Sequence, residues 1–151
     1  MNGLMKAIER LLALAFIFAV ALNFANVIGR YVVGRSISGA DEVQIYIMVW
    51  MAFLGAAVVA WRRNHLRMDV LVHFLPSKIK SFLVLFESGL IVVLAAFTVV
   101  QSVRYTWQMA ALGRTSDVGG IPMWIPHSAV ALGFGLIAVV SLLEFFRAKW
   151  R

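Results

Sequence analysis

Four long stretches without a charged residue constrain this chain more than any other feature: residues 11–29, 43–61, 88–103 and 124–143, the third reaching back to 82 if Glu87 is tolerated. A helix needs about 20 apolar residues to cross roughly 30 Å of hydrocarbon, and these runs meet or approach that length. In lipid the backbone amides must be bonded within a helix or a closed barrel. A barrel would show short alternating segments, so the runs predict helices. The expected fold is all-α, an integral membrane protein with four transmembrane helices over approximately 11–29, 43–61, 82–103 and 124–146. Residues 1–151 are expected to form a single domain.

Composition agrees. Of 151 residues 62% are hydrophobic and 14% charged, with a mean hydropathy of +0.89, against about 45–50% and 25% in water-soluble domains. The chain has no cysteine, which removes disulfides, thiol nucleophiles, zinc–thiolate sites and iron–sulfur clusters. The first run, with Lys6 and Arg10 before it and Ala19-Val20-Ala21 within it, has the outline of a cleavable leader. It is read instead as a retained span.

Charge sets the expected orientation. Lys6, Arg10, Arg62, Arg63, Arg67, Lys78, Lys80, Arg147, Lys149 and Arg151 fall on one side, while Arg30, Arg35, Arg104 and Arg114 fall on the other. The positive-inside rule then puts both termini and the central loop in the cytoplasm. Tyr31, Trp61, Tyr105, Trp107, Trp124 and Trp150 lie at span ends, where amphipathic rings prefer the interface, and Trp50 is the mid-span exception. The basic residues serve as topology determinants, so no nucleic-acid partner is expected.

Between spans two and three, residues 66–75 are apolar at helical spacing but too short to cross. They are expected to form a short amphipathic surface helix with Val70, Leu71, Phe74 and Leu75 toward the lipid. Pro76 would be the first residue of the third span, where its missing amide costs nothing. His65, Asp69 and His73 share a face of that helix, but the two histidines are about 12 Å apart along its axis and cannot share one ion. No metal site is expected. Haem needs two histidines at matching depth, and His127 lies at the opposite end of the molecule.

Polar groups inside the spans are few. Glu87 is the one acid within the four apolar runs 11–29, 43–61, 82–103 and 124–143; it lies roughly 7–8 Å from the end of its span and is expected to pair with a base rather than carry an ion. Asn23 and Asn26 are expected to hydrogen-bond to a neighbouring helix. The small-residue rows Ala52/Ala56/Ala60 with Gly55, Ala129/Gly133 and Ala131/Gly135 suit close helix approach. The chain shows no nucleophile beside a base, no paired carboxylates and no phosphate-cradling loop. No enzymatic activity and no cofactor are expected.

Specific residues then suggest a family. Asn26-Val27-Ile28-Gly29-Arg30-Tyr31 closes the first span, and Ser36 and Ala40-Asp41-Glu42 open the second. Phe53-Leu54-Gly55-Ala56-Ala57 precedes His65-Leu66-Arg67-Met68-Asp69, Leu75-Pro76 follows, and Gly120-Ile121-Pro122-Met123-Trp124 opens the last span. In that order, over nearly the whole chain, these resemble the DctQ-type small membrane subunit of tripartite ATP-independent periplasmic (TRAP) transporters. The resemblance implies a non-catalytic scaffold for a large membrane subunit, which takes an organic acid from a periplasmic binding protein and moves it with sodium. Sodium coupling would reside in that large partner. The same resemblance points to Asn26, Arg30, Asp41 and Glu42 at the outer surface, and to His65 and Asp69 at the inner one, as structural or subunit-interface residues, with Glu87 added from the lipid argument. The setting would be the inner membrane of a bacterium or archaeon.

Two other classes compete with this reading. An autonomous four-helix transporter working as a homodimer needs an acid in its first span, which 11–29 lacks. A membrane anchor of a respiratory enzyme would carry haem or quinone.

Overall fold

A computed structural model describes residues 2–62 and 76–149. Helix α1 (Asn2–Ile28) continues without a break into a π-helical turn, Gly29–Val33. Then follow α2 (Ala40–Trp61), α3 (Ser77–Ala111) and α4 (Trp124–Lys149). No strand occurs among the described residues. Pairing is confined to a single antiparallel bridge, Thr115 with Pro122, in the α3–α4 loop.

All four helices hold a segment long and apolar enough to cross a membrane: Gly3–Val33, Ala40–Trp61, Leu85–Ala111 and Trp124–Leu143. The first begins eight residues before the expected start at 11, and α3 runs eight beyond the expected end at 103. A lone charge does not end a helix; it only has to reach the interface, as Lys and Arg stems can. At 35 residues, α3 is about 52 Å long, well beyond the hydrocarbon thickness. Pro76 does not open α3. It caps it from outside, with ψ 146°, and its carbonyl accepts the Ile79 amide at 3.0 Å. The proposed surface helix 66–75, with His65, Asp69 and His73, lies outside the described residues.

The chain runs up and down four times, giving the molecule two ends. One, the loop end, carries the π turn, the α1–α2 connection and the α3–α4 loop. The other, the termini end, carries the start of α1, Arg62 and the end of α4. The main helix contacts are α3 with α4, α4 with α2 and α2 with α1, so the helices form a row rather than a closed square. A row leaves each outer helix with one packed side. Accordingly Leu14, Ile17 and Phe24 of α1 are 62–67% exposed, a surface that only lipid or another protein would cover.

Helix α4 packs into α2 through its small residues. Ala129 is fully buried, and a Cβ added at Gly133 would lie 2.6 Å from Phe53 Cβ and 2.8 Å from its carbonyl oxygen. The other small-residue rows behave differently. Ala60 is buried, but Ala52 and Ala56 are exposed, and nothing lies within 4 Å of a Cβ built at Gly55 or Gly135. The contacting face of α2 is instead Leu54, Ala57 and Val58. At the termini end Met5, Val58, Ala60 and Val140 close a small apolar cluster, flanked by an ion pair between Glu9 and Arg62.

Candidate functional site

The polar side chains with the most bonds gather at the loop end. Asn26, on the last full turn of α1, is 6% exposed. Its Nδ2 donates to Asp41 Oδ1 at 3.2 Å, and its Oδ1 accepts the amide of Ile37 at 2.8 Å. One amide side chain thus ties the α1–α2 connection to both helices. In lipid its unmet polar atoms would be costly, which fixes it at this junction. Asn23, one turn earlier, is exposed.

Glu42, one residue on from Asp41, faces the α3–α4 loop. Its carboxylate accepts the Ser116 hydroxyl at 2.6 Å, the Gly119 amide at 2.7 Å and the Val118 amide at 3.0 Å. Ser116 Oγ in turn accepts the Ile121 amide at 3.1 Å, and the Ser116 amide donates to the Ile121 carbonyl at 2.8 Å. An ionised carboxylate only accepts, and here it meets three donors from a segment 74–77 residues away in sequence. Glycine permits the approach. Gly39 sits at φ +80°, and a Cβ there would lie 2.9 Å from Gly119 Cα; a side chain at either position would push the loop off the start of α2. Tyr46 adds a longer contact from its hydroxyl to Met123 Sδ, 3.4 Å.

Of the residues singled out in the sequence, the structure therefore brings together Asn26 and Asp41, with Glu42 beside them holding a separate loop. Arg30 is exposed on the π turn and stands outside both bond sets. Glu87 is the eleventh residue of α3 and is exposed. His65 and Asp69 lie outside the described residues. Sequence reasoning missed Ser116 and Gly119, the partners of Glu42, and the signal for them is faint: a serine and two glycines in a short loop read as turn chemistry whatever they face. Among the described residues no group of three histidines, aspartates or glutamates is placed to hold a metal ion. The arrangement is a set of fastenings between helix ends, with every acceptor oxygen named above already engaged.

Comparison with known proteins agrees with this picture. Residues 19–149 match the family model for the DctQ component of tripartite ATP-independent periplasmic transporters. The ectoine TRAP transporter small permease protein TeaB of Halomonas elongata is 29% identical over 87% of this chain and 68% of its own length. The C4-dicarboxylate TRAP transporter small permease protein DctQ of Vibrio cholerae is 24% identical over 96% of this chain and 71% of its own. The isethionate TRAP transporter permease protein DctMQ of Oleidesulfovibrio alaskensis is 25% identical over 69% of this chain, a match that occupies 16% of that longer protein. With four membrane-crossing helices and a family match over most of its length, the chain is a multi-pass bacterial membrane protein and belongs to the DctQ family of TRAP transporter small permease subunits.

Proposed function

We propose that the chain is a non-catalytic scaffold that packs against a large membrane subunit, and that this partner carries an organic acid across the inner membrane with sodium after a periplasmic binding protein delivers it. The observation that carries the reading is the DctMQ relative, in which a segment similar to this chain is one sixth of a single longer permease protein. A covalent join of that kind suits two parts that work side by side. The row of helices supports it, because the outward faces of α1 and α3 are broad and apolar. Among the described residues the spans show no broken helix and no acid at mid-depth of the kind ion-coupled carriers use, which favours coupling in the partner. The excess of Lys and Arg at the termini end favours a cytoplasmic position for both termini and an outer position for the loop end. The transported compound belongs to the partners' chemistry; relatives whose names mention ectoine, C4-dicarboxylates and isethionate span a wide range.

The test is affinity purification of the tagged chain, co-expressed with its genomic neighbours, in mild detergent, with mass spectrometry of what is retained. A stoichiometric, much larger polytopic protein is expected. Recovery of this chain alone as a stable homodimer would overturn the reading, and proton-coupled efflux by reconstituted dimers would then be measured.

A further inference from the structure

Contacts between α3 and α4 fix the depth of each residue on α3. Tyr105 meets His127 edge to face, ring centres 4.8 Å apart, and a Cβ built at Gly89 would lie 3.8 Å from the Phe145 ring. Both pairs obey one antiparallel register, which sets Gln101 level with Leu132 and Gly133. Gly133 lies at the middle of the Trp124–Leu143 span and packs on Phe53, near the middle of Ala40–Trp61. Gln101 therefore stands at mid-membrane depth, although the apolar run 82–103 set it near an end. It is exposed, and its amide bonds nothing among the described residues. Hydrocarbon offers that amide neither donor nor acceptor, and its short stem cannot reach an interface about 15 Å away.

Gln101 belongs to a longer pattern. Leu90, Leu94, Phe97, Gln101, Arg104 and Gln108 recur at alternating intervals of four and three residues, and all six are exposed. That spacing is the seam one helix presents to another, and here no helix of this chain fills it. Arg104 adds a cation only one turn nearer the loop end, where an exposed charge calls for a partner. The outward middle of α1 differs: residues 11–22 are wholly apolar, which lipid can cover, and Asn23 is one turn from the Asn26 latch at the loop end. A second copy fits the α3 seam poorly, because a two-fold contact there would set Arg104 against Arg104 at one level. The occupant is then a different membrane protein that carries the acceptors itself. We infer that the large membrane subunit docks along this seam of α3, with a hydrogen-bonding side chain opposite Gln101 and a carboxylate near Arg104, while the middle of α1 faces lipid. The inference rests on the scaffold role proposed above and adds the face and the chemistry of the contact.

The experiment puts a photo-crosslinking residue at position 94 on α3 or at position 17 on α1, 56% and 62% exposed, in membranes holding the tagged full chain and its co-expressed genomic neighbours. Position 94 should capture a much larger polytopic protein, and position 17 no protein. Gln101→Leu and Arg104→Glu should each lower the amount of that protein retained per tagged chain roughly fivefold, as for the loss of one hydrogen bond or charge pair. Arg104→Lys should retain more than Arg104→Glu, and Ile17→Ala as much as the unaltered chain. The isolated variants should melt with the unaltered chain, since neither side chain bonds within it. Gln101→Leu makes the helix more apolar and so still reports if Arg104→Glu fails to insert. Where the large protein still co-purifies, its capture at 17 and not at 94, capture of a second copy at 94, or full retention by both Gln101→Leu and Arg104→Glu would each overturn the docking face and leave the scaffold role standing. If no large protein co-purifies with the unaltered chain, the scaffold role fails and the docking face with it.

Discussion

The two ends of the molecule are held together by different chemistry. At the loop end, side-chain hydrogen bonds do the fastening: Asn26 bonds Asp41 and the Ile37 amide, and Glu42 gathers Ser116, Val118 and Gly119. At the termini end the fastening is apolar contact among Met5, Val58, Ala60 and Val140, with one half-exposed ion pair beside it. Helix α1 shows the contrast most plainly. It is anchored near Met5 and near Asn26, while much of its middle, including Leu11, Leu14, Phe16 and Ile17, is exposed. In lipid, apolar contact between helices gains no hydrophobic driving force, because the acyl chains are as apolar as leucine. Directional bonds at one end and close packing at the other therefore decide where α1 lies, and its exposed middle is left for lipid or a partner.

Substitutions can break or sharpen this contrast. The largest effect is expected where neither end is involved: Gly133→Val would force a side chain into the Phe53 backbone. The variant should lose about 3 kcal/mol, the upper part of the range for overpacking, seen as a large fall in melting temperature in detergent. Asn26→Leu removes an acceptor from the Ile37 amide and a donor from Asp41. It should cost about 1–3 kcal/mol and loosen the 34–39 connection, read as faster amide exchange at Ile37. An unaltered exchange rate there would remove the polar latch from the account of the loop end.

Met5→Ala, at a side chain 2% exposed, should cost about 1–2 kcal/mol, because a cavity opens but little of the water-transfer contribution applies in lipid. A cost as large as that of Gly133→Val would show that the termini end governs the whole row. Glu42→Gln weakens the acceptor that three donors share. Faster exchange confined to Val118 and Gly119, with the melting temperature preserved, is expected. The smallest effect belongs to Glu9→Gln at the half-exposed pair with Arg62: below about 1 kcal/mol, and vanishing at high salt.

How much of this the sequence disclosed follows the same physics. The four helices were legible because, in lipid, a helix is demanded by its own backbone and needs no partner to form. Their ends were less so: the charges at Lys6, Arg10 and Arg104 ended the apolar runs without ending the helices. Among the small-residue rows, sequence spacing gave Ala52/Ala56 and Ala129/Gly133 equal standing, yet only the second is packed. Both faces of a membrane helix are apolar, so periodicity cannot tell the contacting side from the lipid side.

The motif around Asn26 and Asp41-Glu42 led to the family, but the bonds those residues make join positions 11–15 apart for Asn26 and 74–77 apart for Glu42. By itself, then, the sequence determined that this is a four-helix membrane protein of the DctQ type, because length, apolarity and motif order are local properties of the chain. Tertiary structure alone decided that the helices stand in a row, that Gly133 meets Phe53 and that Glu42 holds the α3–α4 loop. Each of those is a choice of which face meets which, and only the folded arrangement makes it.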